Sequence, residues 1–216
     1  MGDHFTIPLP QDKGTGLGKP LKIINHLVKE DIPIAIASLG PKSVETTAEI
    51  ADAWLPAFYT PEAADAVWGE SLKAGKKLRD PNRAVLDIFA GGAVGIGAGM
   101  EPHREKGRAG AALYIGGMGA RSKNFYNDIF SKSGYAEEAK LIQDLYLSGK
   151  KDAAAAAIPD DYLAKSSLIG EEAFVTDRIN ALKAGTHFGR GEGEGAGNTN
   201  DVAADLALVL NSSVSD

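Results

Sequence analysis

Apolar positions along the chain fall into short β-branched or aromatic runs separated by stretches with helical spacing. The first run, 32–38, carries Ile34 and Ile36 and stops at Gly40-Pro41, which predicts a short strand. A helix over 42–52 follows, with Pro41 at a first position where a missing N–H costs nothing. The next apolar run, 54–58, leads into Thr60-Pro61-Glu62, read as an N-cap, a proline at N1 and the start of a helix over 61–78. Within it Ala64, Val67, Trp68 and Leu72 share one face. Asp80-Pro81-Asn82 breaks that helix, and 85–90 predicts a third strand, closed by Gly91-Gly92. Strand and helix alternating in this way are the pattern of βα units on a parallel sheet. The fold class is therefore expected to be α/β.

The remainder is less regular. The first thirty residues carry Pro8, Pro10, Gly14, Gly16, Gly18 and Pro20, too many breakers for a long element. From Gly92 to Tyr135 glycine recurs so often that a loop-rich insertion is expected. Helices are expected again over 135–147, 150–157 and 171–184, with Gly185 as the C′ residue of the last. A broken strand at Thr186-His187-Phe188 runs into the glycine–glutamate repeat of 189–197, read as a linker. A short helix over 201–210 closes the chain. Three clear strands and a broken fourth fall well short of the eight that close a parallel barrel.

Net charge is −6, which argues against a nucleic-acid partner; the basic run from Lys73 to Arg79 reads as a solvated helix end. The chain has no cysteine and only four scattered histidines, so no metal site is expected. Met1 to Pro10 lacks the basic start and apolar run of a signal peptide, and no stretch approaches the ~20 apolar residues of a membrane span. A cytoplasmic protein with a small-molecule partner is expected. Glu137-Glu138 and Asp160-Asp161 read as solvated helix ends, and no catalytic group or Ser-His-Asp order can be assigned.

Three motifs bear on chemistry. Gly14-Thr15-Gly16-Leu17-Gly18-Lys19-Pro20 is not a phosphate loop, because Lys13 and Pro20 stand where glycine and Ser or Thr are needed. Ser38-Leu39-Gly40-Pro41 lies between a strand end and a helix start. There the N–H groups of Leu39, Gly40 and Lys42 could hold an anion, though a plain βα turn accounts for the same residues. Gly116-Gly117-Met118-Gly119-Ala120-Arg121-Ser122-Lys123-Asn124-Phe125-Tyr126 combines mobile glycines with donor side chains. It fits a covering loop over a ligand, and equally a surface helix start with solvated charges.

Ile34-Ala35-Ile36-Ala37-Ser38-Leu39-Gly40-Pro41-Lys42, Ala48 to Pro56, Leu113 to Arg121, Lys123 to Asp128 and Ile142 to Leu147 closely resemble the second half of luciferase-like monooxygenases. The nearest subgroup is the one dependent on coenzyme F420. The likeness spans roughly 5–185. It implies a partial (β/α)8 TIM barrel, the C-terminal half, with strands five to seven at 32–38, 53–58 and 85–90 and the eighth beginning at Thr186. Residues 1–188 would form that half-barrel, with an insertion at about 91–170, and 189–216 a linker and divergent tail. The implied activity is that of an oxidoreductase or monooxygenase moving hydride or electrons between a bound flavin or deazaflavin (FMN or coenzyme F420) and a small organic substrate. The implied cofactor-binding residues are Ser38, Leu39, Gly40, Lys42, Ala57, Phe58 and Thr60. Arg121, Lys123, Asn124, Phe125 and Tyr126 would cover the mouth of the site. The absence of the first four βα units raises an alternative, a non-catalytic half-barrel that needs a complementing N-terminal half or a second copy of itself.

Overall fold

A computed structural model describes residues 6–22, 24–26, 28–29 and 32–185. The backbone divides into two units, Met1–Ile32 and Pro33–Asp216. In the first, Lys13 N–H bonds to Pro10 O and Gly16 N–H to Lys13 O, at 3.0 and 3.2 Å. The second of these turns uses positive φ at Gly14 and Gly16, and Gly18 beyond it is left-handed too, so the glycine spacing there serves chain reversal.

The second unit opens with β1 (Ala35–Ala37), α1 (Pro41–Ile50), β2 (Ala53–Leu55), α2 (Ala64–Leu78) and β3 (Asp87–Ile88). The three strands form one parallel sheet in sequence order. Ile36, Trp54 and Ile88 are in register and pack with Val44, Trp68 and Leu72 of the two helices into one core. Side chains alternate across a strand, so Ala35, Ala37, Ala53, Leu55, Asp87 and Phe89 stand on the opposite face. All but the central Ala53 are exposed, Phe89 by 60%.

Helices α1 and α2 touch through small residues. A Cβ built on Gly75 would lie 2.1 Å from Glu45 O and 2.7 Å from Ala48 Cβ. Arg79, just beyond α2, donates to Ala48 O and Ala51 O at the end of α1, at 3.0 and 2.7 Å, where a cation is favoured by the helix dipole. α2 begins three residues later than expected. Ala63 and Ala64 N–H bond back to Thr60 O and Pro61 O, tighter turns than an α-helix makes, so Thr60 does not cap it.

The expectation of a loop-rich stretch from Gly92 to Tyr135 is corrected by the structure. It contains β4 (Val94–Ile96), a 3-10 segment (Glu101–Lys106), α3 (Gly107–Gly117) and α4 (Phe125–Phe130). Then come a π-helical turn (Ser131–Tyr135), α5 (Ala136–Leu147), α6 (Lys151–Ala156), α7 (Asp160–Lys165), β5 (Leu168–Gly170) and α8 (Glu172–Gly185). β4 and β5 pair in parallel. Glycine is tolerated in α3 because Gly116 and Gly117 let the helix approach Tyr146 of α5, with built Cβ atoms 2.5 Å from its Cβ and Cε1. This helical layer has its own core of Ile115, Phe130, Ile142, Ile158, Tyr162 and smaller residues. Gly185 ends α8 as a helical residue instead of following it. The strand expected at 186–188, the linker and the last helix lie outside the described residues.

The two glycines of α2 predict opposite outcomes. Gly75→Ala meets backbone and should lose about 1–3 kcal/mol to overpacking. Gly69→Ala meets only the movable Asp65 side chain and should hold or gain up to about 1 kcal/mol of helix propensity. Thermal unfolding of both variants checks the contrast.

Candidate functional site

The corner between β1 and α1 is fixed by two indoles. Trp54 Nε1 donates to Ser38 O at 3.0 Å and Trp68 Nε1 to Leu39 O at 3.3 Å. Trp54 and Trp68 are 0% and 2% exposed, with rings edge to face at 5.2 Å, so both carbonyls are drawn towards the core. A trans peptide sets the following N–H opposite its carbonyl. The N–H groups of Leu39 and Gly40 are thereby aimed away from the indoles. Those of Lys42 and Ser43 precede the first helical bond, Val44 N–H to Gly40 O at 2.9 Å, and lie in the first turn, where no intrahelical acceptor exists.

The Ser38 side chain does other work. Its hydroxyl is buried and bonded to Thr47 Oγ1 at 2.8 Å, locking α1 onto the strand end. Lys42 Nζ donates to Glu45 at 2.8 Å on the surface. From this loop a ligand would meet main-chain donors. The absence of a Cβ at Gly40 leaves room for the Phe125 ring, whose Cε1 would lie 3.3 Å from one.

Phe58 joins the corner to the helical layer. It adopts φ of 58°, the left-handed region that a bulky side chain rarely enters. Its ring packs against both cores and lies 5.9, 5.4 and 6.3 Å from the rings of Tyr114, Tyr126 and Tyr162. Ala57 is half-buried beside it, and Thr60 is buried. Tyr59 donates to Gly185 O at 2.9 Å, and burial, then the nearby Glu62, pushes its hydroxyl up to about 12. Tyr59 therefore remains a donor at any working pH.

Of the residues expected over the mouth, Phe125 and Tyr126 reach the corner and Phe58. The others are engaged elsewhere. Arg121 pairs with Asp144 of α5, and Lys123 is exposed. Asn124 is 3% exposed. Its side chain caps α4 by accepting from Tyr126 and Asn127 N–H, and donates to Tyr114 O and Ile115 O. The segment is thus pinned to α3 and α5.

Sequence reasoning missed a cavity of about 640 Å³ beside this corner. Phe58 and Tyr59 after β2, and Gly91 and Ala93 after β3, form its floor. Its walls come from Arg104, Gly110 and Tyr114, and from Tyr162, Ser166 and Ile169. The spacing of Gly107, Gly110 and Tyr114, one helical face, was the available signal, masked by the glycine content. A crevice beyond the carboxyl ends of parallel strands is where open α/β sheets bind ligands. Among the described residues no group of three or more His, Asp or Glu is set to hold a metal, and no helix is long and apolar enough to cross a membrane.

Comparisons with known proteins place this geometry in context. A family model described as luciferase-like monooxygenase matches residues 2–187. A Mycobacterium tuberculosis protein named as a coenzyme F420-dependent oxidoreductase is 36% identical over 179 residues, which is 79% of this chain and 49% of that protein. The chain thus spans about half the length of this curated relative. A solved structure, coenzyme F420-dependent tetrahydromethanopterin reductase from Methanopyrus kandleri, superposes with a TM-score of 0.53 at 21% identity. It covers 71% of this chain and 42% of the reductase, a likeness of fold.

The loop that leaves β2 is tied to α8 by an ion pair with a definite pH signature. Burial pushes the Glu62 carboxyl up, but hydrogen bonding and charge from Arg178 outweigh it and hold the group below the ordinary range. A depressed carboxyl contributes stability above its unfolded-state value and loses it as pH falls through the folded one. Glu62→Gln should therefore cost about 0.5–1 kcal/mol at pH 7, discounted for its exposure. The gap should close as pH drops below the carboxylate range, followed by thermal unfolding from pH 7 to 3.

Proposed function

Because the chain belongs to the luciferase-like monooxygenase family, we propose that it is an oxidoreductase polypeptide that uses coenzyme F420. The observation that carries this reading is the main-chain corner at 39–43, with N–H groups turned outward by Trp54 and Trp68. Such a corner fits the phosphate of a cofactor, since helix N-termini and outward amides stabilise anions. The F420-dependent relative, 36% identical across most of the chain, favours the deazaflavin over FMN. When bound, that group supplies the hydride or electron pair exchanged with a small organic substrate.

This chain's own residues have positioning roles. Leu39, Gly40, Lys42 and Ser43 offer main-chain donors to the phosphate. Ser38 acts through Thr47 by fixing the register of α1. Ala57, Phe58 and Thr60 shape the neighbouring loop. Phe125 and Tyr126 exclude water from the corner by packing on Gly40 and Phe58. The three-stranded sheet reads as strands five to seven of a (β/α)8 barrel, with the helical layer as its insertion.

A second reading is favoured by the uncovered sheet face. Parallel sheets are found with both faces covered, whereas Ala35, Ala37, Leu55 and Phe89 are exposed, and the chain spans 49% of its relative. In that reading the polypeptide acts as a subunit whose sheet is completed by the other half of a barrel or by a second copy. Light scattering separates it from a self-sufficient monomer: a concentration-independent monomer that binds F420 excludes it.

Titration of the purified chain with F420 and with FMN, followed by cofactor fluorescence, tests the main proposal. F420 should quench on binding and FMN should not. Gly40→Leu, which must displace Phe125 and fill the corner, should weaken F420 at least about tenfold, or about 1.4 kcal/mol, with folding monitored by circular dichroism. Failure of F420 to bind the folded wild-type chain overturns the cofactor assignment.

A further inference from the structure

The cavity beside Phe58 has a chemistry of its own. Its lining includes His103, Arg104 and Lys106 but no aspartate or glutamate, in a chain of net charge −6. Glu101, Glu105 and Asp160 line a separate hollow on the other side of Arg104, and two of them, Glu105 and Asp160, pair with Arg108. Among the described residues neither His103 nor Lys106 has a carboxylate partner. Arg104 is held in place, donating through Nε to Ile169 O at 2.6 Å and lying 4.1 Å over the Phe174 ring. Its charge is fixed in the wall by packing. A positive rim without acids in a chain rich in acids raises the local concentration of anions.

Apart from Ser166 and Ser167, the rest of the lining is apolar or aromatic. Phe58 and Tyr162 lie parallel to within 18°, Tyr114 stands at an angle to Phe58, and Met100, Leu163 and Ile169 complete the walls. Glycine keeps the space open. Gly91 and Gly110 border the cavity, and a Cβ built on either meets nothing within 4 Å, so a side chain there has room to extend. The volume of about 640 Å³ lies within the range of small-molecule sites, roughly 300–1,000 Å³.

We infer that this cavity binds an organic anion with a flat, apolar body, an aryl or acyl carboxylate whose charge sits between His103 and Lys106. Its body lies against Phe58, Tyr114 and Tyr162. The inference goes beyond the cofactor reading, because Leu39, Gly40 and Lys42 do not line this cavity. Phe58 borders both places, so they are told apart by Gly40→Leu, which should weaken F420 and leave pyrene-1-carboxylate bound.

The test uses three fluorescent probes of one shape: pyrene-1-carboxylate, 1-pyrenemethanol and 1-pyrenemethylamine. The wild-type chain should bind the carboxylate at least about tenfold more tightly than the alcohol, and the amine most weakly. His103→Gln with Lys106→Gln should weaken the carboxylate about five- to tenfold and leave the alcohol unchanged. Gly110→Leu fills the hollow from the interior of α3 and should abolish binding of all three with an unchanged or raised melting temperature. Gly91→Leu serves the same purpose from the floor should Gly110→Leu not fold. Equal affinity for the three probes overturns the proposal. So does undiminished carboxylate binding in the double glutamine variant, or in whichever leucine variant is folded, since the dye would then sit on another apolar surface.

Discussion

Two hydrogen bonds from buried indoles to consecutive carbonyls set the geometry on which the rest relies. Trp54 and Trp68 together turn the peptides of Ser38 and Leu39 inward. A buried indole N–H without an acceptor costs roughly 1–3 kcal/mol, so each bond is enforced by the burial of the ring that donates it. Burial and backbone direction are thus one constraint. The same rings fill the space between sheet and helices, so the core cannot repack without releasing the corner. The Ser38–Thr47 hydroxyl pair adds a polar lock that holds the second turn of α1 against the strand end.

Much of this was legible in the sequence because local and tertiary preferences agree there. Pro41 starts α1 where its missing N–H is harmless, and Ala64, Trp68 and Leu72 fall on the buried face of α2 as their spacing requires. The helical layer was not legible, for the opposite reason. Its α3 contains four glycines, each about 1 kcal/mol less favourable than alanine in a helix. Local propensity therefore points to a loop. Close approach of Gly116 and Gly117 to Tyr146, and burial of Ala112 and Ile115, override it. Asn124 was open to misreading in the same way. A polar side chain among glycines looks available to a ligand, but its amide is consumed by the cap of α4 and two carbonyls of α3.

The strained residue lies where the two layers meet. Phe58 has a backbone conformation that costs of order 1–3 kcal/mol, offset by packing against both cores. A glycine would relieve the backbone but lose the aromatic contacts to Tyr114, Tyr126 and Tyr162, which depend on the ring. Strain retained under that trade marks a position where side-chain placement matters more than backbone comfort. From there the ring serves the cavity and abuts the Tyr126 that follows Phe125.

The sheet carries a further constraint. Its helix-facing side is filled by Ile36, Trp54 and Ile88, while the other presents small alanines on β1, then Leu55, Asp87 and Phe89. A solvated antiparallel face would alternate towards polar residues, and only Asp87 does so. The sequence is therefore written for contact on both sides of the strands. Small and apolar residues on both sides of the strands are what a parallel sheet covered on both faces requires, and they set the outward amides at 39–43 at the carboxyl end of a sheet whose second face still exposes Leu55 and Phe89.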